Sequence, residues 1–74
     1  MDEHLYKVVE LVGTSGESWE EAAACAVETA GKHLKDLRIA EVTAMDLQIS
    51  EGKVVSYRTK VKVSFKYHPG VHEN

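Results

Sequence analysis

The sequence predicts an α+β fold of strand, helix, strand and strand, in which a three-stranded, antiparallel-type sheet is partly wrapped around one helix. Two patterns carry this prediction. The fourteen residues Val54–Tyr67 alternate between two faces, one apolar and aromatic and the other basic and polar, and a period of two is that of an extended strand. Between Trp19 and Leu37, apolar residues recur at spacings of three and four, which is the period of a helix.

The first strand is predicted over His4–Val12, a segment rich in valine and leucine, and a break follows at residues 13–16. Ser18 and Glu21 have the spacing of a capping box, in which the serine hydroxyl accepts a backbone amide and the glutamate reaches back. The helix is expected to follow the apolar stripe to its end; the stripe consists of Trp19, Ala22, Ala23, Ala26, Val27, Ala30, Leu34 and Leu37. Because most of these residues are alanines, a sheet can approach this helix closely.

The second strand is predicted over Ile39–Ser50, and Glu51–Gly52 supplies a tight turn into the third strand at Val54–Tyr67. A right-handed crossover makes the first two strands parallel and carries the helix across one face of the sheet. The third strand is expected between them, antiparallel to both. Residues 1–67 are therefore predicted to form a single domain, and residues 68–74 a flexible C-terminal tail.

Length and composition limit the classes of function. The chain has 74 residues, a single cysteine and a net charge of −3. A domain of this size buries only about 60% of its unfolded surface, so it usually needs disulfides, a metal or oligomerisation. Cys25 alone cannot form a disulfide within the chain, and no apolar run approaches the ~18 residues of a membrane span. We therefore expect a cytoplasmic protein that binds neither membrane nor nucleic acid and that oligomerises with itself.

The third strand is longer than one small domain needs. At ~3.3 Å per residue it would extend roughly 45 Å, whereas a typical strand has ~5–6 residues. One helix can cover only one face of a three-stranded sheet, and the other face carries Arg58, Lys60 and Lys62. Surplus strand length and a half-covered sheet both favour a homo-oligomer.

Four segments of the chain resemble the dodecins: Tyr6–Ser15, Ser18–Ala22, Glu41–Val42 and Val61–Phe65. The resemblance extends over about residues 4–67, with matching length and element order. Dodecins are small β-α-β-β proteins that assemble as hollow dodecamers, and the best-known members hold flavins for storage or photoprotection rather than catalysis. The resemblance implies a homo-dodecamer for this chain.

Two positions depart from the flavin-binding dodecins. Those proteins typically place a tryptophan two residues before the Glu-Val of the second strand, where this chain has Ile39. They place a glutamine after an aromatic residue of the third strand, where Tyr57 is followed here by Arg58. Isoleucine has no aromatic face for stacking, and arginine offers only hydrogen-bond donors. The usual flavin pocket is therefore expected to be altered, and riboflavin or FMN would need a different pose.

The candidate ligand-binding residues are Ile39, Glu41, Asp46 and Arg58. Arg58 is expected to pair across the hairpin with Asp46 or Glu41, as an ion pair that fixes an interface. An alternative is an anion or phosphate site at Arg58, because its planar guanidinium suits such groups. A third hypothesis is a hard cation such as calcium, held by carboxylates gathered around a symmetry axis, since calcium-binding variants occur among the dodecins. Against it, no loop resembles a dedicated calcium motif, and Glu41, Asp46 and Glu51 are scattered along the chain. No metal ligand is assigned.

No nucleophile, base and orienting group can be assembled from adjacent elements, so no catalytic residue is predicted and no enzyme activity is expected. The sequence instead predicts a non-catalytic subunit of a hollow homo-dodecamer that binds or sequesters small molecules or ions, in stress or storage. One alternative is a flavin-storage protein for riboflavin or FMN. Another is a structural or stress-related particle with no small ligand.

Overall fold

The computed structural model describes residues 5–67, which form four elements: β1 (Tyr6–Ser15), α1 (Trp19–Gly31), β2 (Leu37–Ser50) and β3 (Lys53–Lys66). This confirms the predicted α+β fold and its element order. The expected tail, 68–74, and the expected first residue of the first strand, His4, lie outside the described residues. No helix within residues 5–67 is long and apolar enough to cross a membrane.

The three strands form one sheet in the order β1-β3-β2, and β3 is antiparallel to both neighbours. The predicted central position of the third strand is therefore confirmed. The β2–β3 turn places both Glu51 and Gly52 at positive φ, 54° and 76°, as a two-residue hairpin of the type I′ class requires. Strand β2 also has register shifts at three places, between Leu37 and Ile39, between Val42 and Ala44, and between Gln48 and Ile49.

The start of α1 is capped as predicted, but only half of the capping box forms. The Ser18 hydroxyl accepts a hydrogen bond from the amide of Glu21 at 3.0 Å. The Glu21 carboxylate accepts instead from the hydroxyl of Ser15 at 3.2 Å. The Ser18 amide donates to that same Ser15 hydroxyl at 3.4 Å. Ser15 therefore takes the bridging role that the sequence pattern assigned to a direct Glu21–Ser18 contact.

Both boundaries around the helix differ from the prediction. Strand β1 continues through Gly13 to Ser15, where the sequence indicated a break. The helix ends at Gly31, well before the end of the apolar stripe, so Leu37 is the first residue of β2. Glycine is a poor helix former, and Asp36 adopts a left-handed φ of 59°, which turns the chain into β2.

The core lies between α1 and the central strand. Its largest fully buried side chains are Thr59, Val61 and Val63 of β3, and Phe65 is nearly so. Ala22 and Ala26 are the buried residues of the helix, which confirms the close approach that an alanine stripe permits. Alternate β3 residues thus face the helix, and the intervening ones face away from it.

A large share of the apolar surface is left uncovered by this core. The exposed large hydrophobic residues of residues 5–67 are Leu5, Tyr6, Val8, Val12, Ile39, Val42, Met45, Leu47, Ile49, Val54 and Val55. The radius of gyration is 14.9 Å, whereas a compact domain of this length would have about 11 Å. The chain is therefore extended, with a sheet larger than its single helix can cover.

Candidate functional site

The face of the sheet that points away from α1 carries the candidate residues, and we call it the open face. Its members follow from the strand register and from the alternation of buried and exposed positions along β3. They include Tyr6, Val8, Glu10, Val12 and Thr14 of β1, Ile39, Glu41, Ala44, Asp46 and Gln48 of β2, and Ser56, Arg58, Lys60, Lys62, Ser64 and Lys66 of β3. All four sequence-predicted site residues lie on this face.

An ion pair between Asp46 and Arg58 is the best-defined polar contact of the open face. The two residues are direct cross-strand partners. The Arg58 Nε donates to Asp46 Oδ1 at 2.7 Å, and a terminal nitrogen donates to Oδ2 at 3.0 Å. This is the bidentate fork geometry that gives Arg–carboxylate pairs their specificity. The predicted partner of Arg58 is therefore Asp46, while Glu41 lies opposite Lys62 instead.

The ion pair shifts the pKa of both side chains. Asp46 remains 39% exposed and Arg58 41% exposed. The hydrogen bonds from Arg58 hold the pKa of Asp46 below its usual value, and the positive charges of Arg58 and Lys60 act in the same direction. The hydrogen bonds to Asp46 raise the pKa of Arg58 above its already high value. Both groups are therefore charged at neutral pH, as the ion pair requires.

The backbone of Asp46 is also tied to the helix, on the other side of the sheet. The indole Nε1 of Trp19 donates to the Asp46 carbonyl oxygen at 3.0 Å, and the Trp19 ring meets Tyr57 edge-on at a centroid distance of 5.2 Å. The hydroxyl of the buried Thr59 donates to the Trp19 carbonyl at 2.9 Å. Trp19 therefore anchors the helix to β2 and β3, and sequence reasoning missed its contact with Asp46.

Ile39 lies far from this pair. It is paired with Ser64, six β3 positions from Arg58, which corresponds to roughly 20 Å along a strand. Its side chain is 67% exposed and lines a shallow groove of about 370 Å³ with Tyr6, Arg38 and Ser64. A single copy of the chain thus places Ile39 and the ion pair on one face without bringing them together.

Comparison with known proteins identifies the family. The family model described as Dodecin matches residues 5–68. This chain belongs to the dodecin family. It is 43% identical over 65 residues to the calcium dodecin of Mycobacterium tuberculosis, covering 88% of this chain and 92% of the relative. It is 40% identical over 62 residues to the dodecin of Thermus thermophilus, covering 84% and 90%.

Solved dodecins have the same fold as this chain. The structure of a dodecin from Streptomyces coelicolor matches with a TM-score of 0.88 and 34% identity, covering 95% of this chain and all of that one. The calcium dodecin of M. tuberculosis, a calcium-chelating antigen described with a novel calcium-binding site, matches with a TM-score of 0.80 and 44% identity, covering 90% and 96%. The β-α-β-β architecture is therefore that of the dodecins.

Within one copy of this dodecin, the carboxylates of the described part of the chain do not converge. Residues 5–67 contain no group of three or more His, Cys, Asp or Glu side chains placed to hold a metal ion. On the open face, Asp46 is held by Arg58, and Glu10 lies 3.9 Å from the ammonium group of Lys62. Glu51, one of the carboxylates considered for calcium, is in the hairpin turn. A carboxylate cage for a cation would therefore need side chains from more than one copy.

A groove between β1 and α1 was not anticipated from the sequence. It has a volume of about 470 Å³ and mostly apolar walls, which include Val9, Leu11, Ala30 and Leu34. Cys25 lines this groove and is exposed. The groove exists because α1 covers only part of the sheet, and helix position is a tertiary feature that periodicity does not reveal.

Proposed function

We propose that this dodecin is a non-catalytic subunit of a hollow homo-dodecamer that binds or sequesters a small molecule or ion at the open face. The observation that carries the proposal is that all four candidate residues lie on the sheet face that α1 does not cover. Another copy of the chain, or a ligand, can cover a face of this kind. The exposed apolar residues and the family resemblance support assembly as the means.

The residues of the open face limit how a flavin could bind there. Ile39 supplies no aromatic face, and the Arg58 fork is already hydrogen-bonded to Asp46. Both features disfavour the usual dodecin pose, in which the flavin ring stacks on an aromatic side chain and is hydrogen-bonded along its edge. A flavin in a different pose, riboflavin or FMN, is the alternative within the same scaffold.

Calcium is the ion that the comparisons favour, because a relative 43% identical to this chain is a calcium dodecin. Calcium takes six to eight oxygen ligands in flexible geometry, which several copies could supply together around a symmetry axis. We propose a cytoplasmic setting with a role in stress or storage. A particle with no small ligand is the alternative from a different functional class.

A fluorescence titration of riboflavin and FMN tests the flavin alternative. We expect no saturable quenching with the natural chain and quenching with Ile39→Trp. One stacked aromatic pair contributes about 0.5–1.5 kcal/mol, which corresponds to an affinity gain of about 2- to 13-fold. Ile49→Trp is the matched control, because Ile49 lies on the same strand and is 64% exposed, close to the 67% of Ile39.

The outcome separates the alternatives. Strong quenching by the natural chain would contradict the altered pocket and favour the flavin-storage alternative. Equal quenching by the Ile39 and Ile49 variants would show that stacking at position 39 has no special role. Calcium titration of chelator-treated protein, followed by calorimetry, then distinguishes an ion-binding shell from a particle without a ligand.

A further inference from the structure

The carboxylate of Asp46 is hydrogen-bonded to the guanidinium of Arg58, a group that would otherwise be open to anions. The Arg58 guanidinium presents five N–H donors in a planar fork suited to phosphate and carboxylate oxygens. Asp46 takes two of these donors, at 2.7 and 3.0 Å, in the bidentate arrangement that an external oxyanion would use. An anion and the Asp46 side chain would therefore compete for the same edge of Arg58.

The surroundings of Arg58 favour a negative ligand once that edge is free. Lys60 is the next β3 residue on the open face, and its cross-strand neighbours are Val12 and Ala44, neither of them charged. A groove of about 380 Å³ lies beside Lys60, and its one acidic lining residue, Glu10, lies 3.9 Å from Lys62. Lys60 already contributes to the lowered pKa of Asp46, which indicates that its charge acts at this position. A phosphate group bound at Arg58 would thus also be attracted by the positive charge of Lys60.

We propose that Asp46 is a specificity-determining residue that excludes phosphate-type anions from the open face by occupying Arg58. This inference rests on the proposed function, because it takes the open face as the binding face. Asp46 acts as an internal anion held in place by its own strand, so an external phosphate must displace it to use the Nε edge of Arg58. Removing the carboxylate converts the Arg58–Lys60 region into an anion site.

The geometry also indicates which substitution leaves the fold intact. The indole of Trp19 is bonded to the backbone carbonyl of Asp46, not to its side chain. Asp46→Ala therefore keeps this anchor. Asp46→Asn is the second variant, since it keeps the side-chain shape and removes the charge. Glu41→Ala is the matched control, because Glu41 is a carboxylate of the same strand and face, opposite Lys62.

The experiment is an orthophosphate titration by calorimetry on the natural chain and on each variant, at fixed ionic strength. We expect Asp46→Ala to bind orthophosphate at least about tenfold more tightly than the natural chain, since bidentate charge-assisted bonds to Arg58 become available. Glu41→Ala is expected to gain much less, and the double variant Asp46→Ala/Arg58→Ala to lose the gain. The orthophosphate affinity of Asp46→Asn should lie between those of the natural chain and Asp46→Ala, because the asparagine amide oxygen still accepts a hydrogen bond from Arg58.

Three results would overturn the inference. Equal gains for Asp46→Ala and Glu41→Ala would show that only net charge matters. A gain that survives in the double variant would place the anion away from Arg58. Unchanged affinity in both Asp46 variants, with the far-ultraviolet circular dichroism and the particle mass of the natural chain, would show that Asp46 excludes nothing. If the natural chain itself did not assemble, that result would instead contradict the proposed function.

Discussion

Gly13 lies where helix α1 crosses β1, and an added side chain there has no room. A Cβ atom at position 13 would lie 1.9 Å from the carbonyl oxygen of Ala22 and 3.1 Å from the Ala26 Cβ. An ordinary contact needs more than ~3 Å, so the helix would have to lift by roughly 1 Å from the sheet. The obstacle is helix backbone, which cannot rotate aside. Overpacking of this kind costs typically 1–3 kcal/mol, and we place Gly13→Ala near the upper end, at about 3 kcal/mol.

A loss of that size is a large fraction of the stability expected for 74 residues, which is roughly 4–11 kcal/mol. Because a domain of this length loses about 4–8 °C in Tm per kcal/mol, the melting temperature should fall by roughly 10–25 °C. Thermal unfolding must be compared at one chain concentration, since assembly stabilises by mass action.

Gly16→Ala is the matched control for Gly13→Ala. Gly16 lies in the connection after β1, and a Cβ atom there meets nothing within 4 Å. Neither glycine has a positive φ, so the two substitutions differ in space and not in backbone strain. Gly16→Ala should be neutral or stabilising by up to ~1 kcal/mol. If Gly13→Ala proved as stable as Gly16→Ala, the close helix–sheet contact described above would be wrong.

Three further predictions concern other elements. Thr59→Val removes the hydroxyl that donates to the Trp19 carbonyl and should lower the free energy of unfolding by about 1 kcal/mol in urea; unchanged stability would contradict a role for this bond. Glu51→Asn should raise it by about 0.5 kcal/mol, because Glu51 has a φ of 54° that asparagine tolerates better; a loss would argue against the turn type. The hydrogen bonds from Arg58 lower the folded-state pKa of Asp46. The resulting stability is therefore present above the unfolded value of about 3.9 and is lost as pH falls through the folded pKa. The free energy of unfolding, measured as a function of pH, should lack this pH-dependent contribution in Asp46→Asn. If the curves of the natural chain and of Asp46→Asn were parallel in acid, the ion pair would not contribute to stability.

The sheet and its topology could be predicted from the sequence because their signals are local. The alternation along Val54–Tyr67 identifies a strand without reference to any partner, and the crossover rule then places it at the centre. The hairpin predicted only that Arg58 pairs with Asp46 or Glu41. The register of the turn alone would place Asp46 opposite Tyr57, and the register shift between Gln48 and Ile49 brings it opposite Arg58.

The remaining features depend on tertiary contacts that periodicity does not contain. The apolar stripe continued to Leu37, but Gly31 and the left-handed Asp36 end the helix earlier, so part of the stripe belongs to the connection and to β2. The indole of Trp19 reaches the Asp46 carbonyl across 27 residues of chain. No sequence pattern marks a backbone acceptor.

The candidate site could be predicted only as a set of residues on one face. Ile39 and Arg58 share the open face but lie roughly 20 Å apart along it. Any pocket that uses both ends of this face must combine copies of the chain. The residues that complete such a pocket depend on how the copies are arranged, and a single sequence does not encode that arrangement in a local signal.

The most direct test of this account is the mass of the purified natural chain in solution, measured by light scattering after size exclusion and by native mass spectrometry. A homo-dodecamer would give a single species of about 98 kDa, twelve copies of the 8.2 kDa chain. A monomer or dimer at micromolar concentration would leave the open face in water, and it would contradict the proposal that ligands are held between copies of this chain.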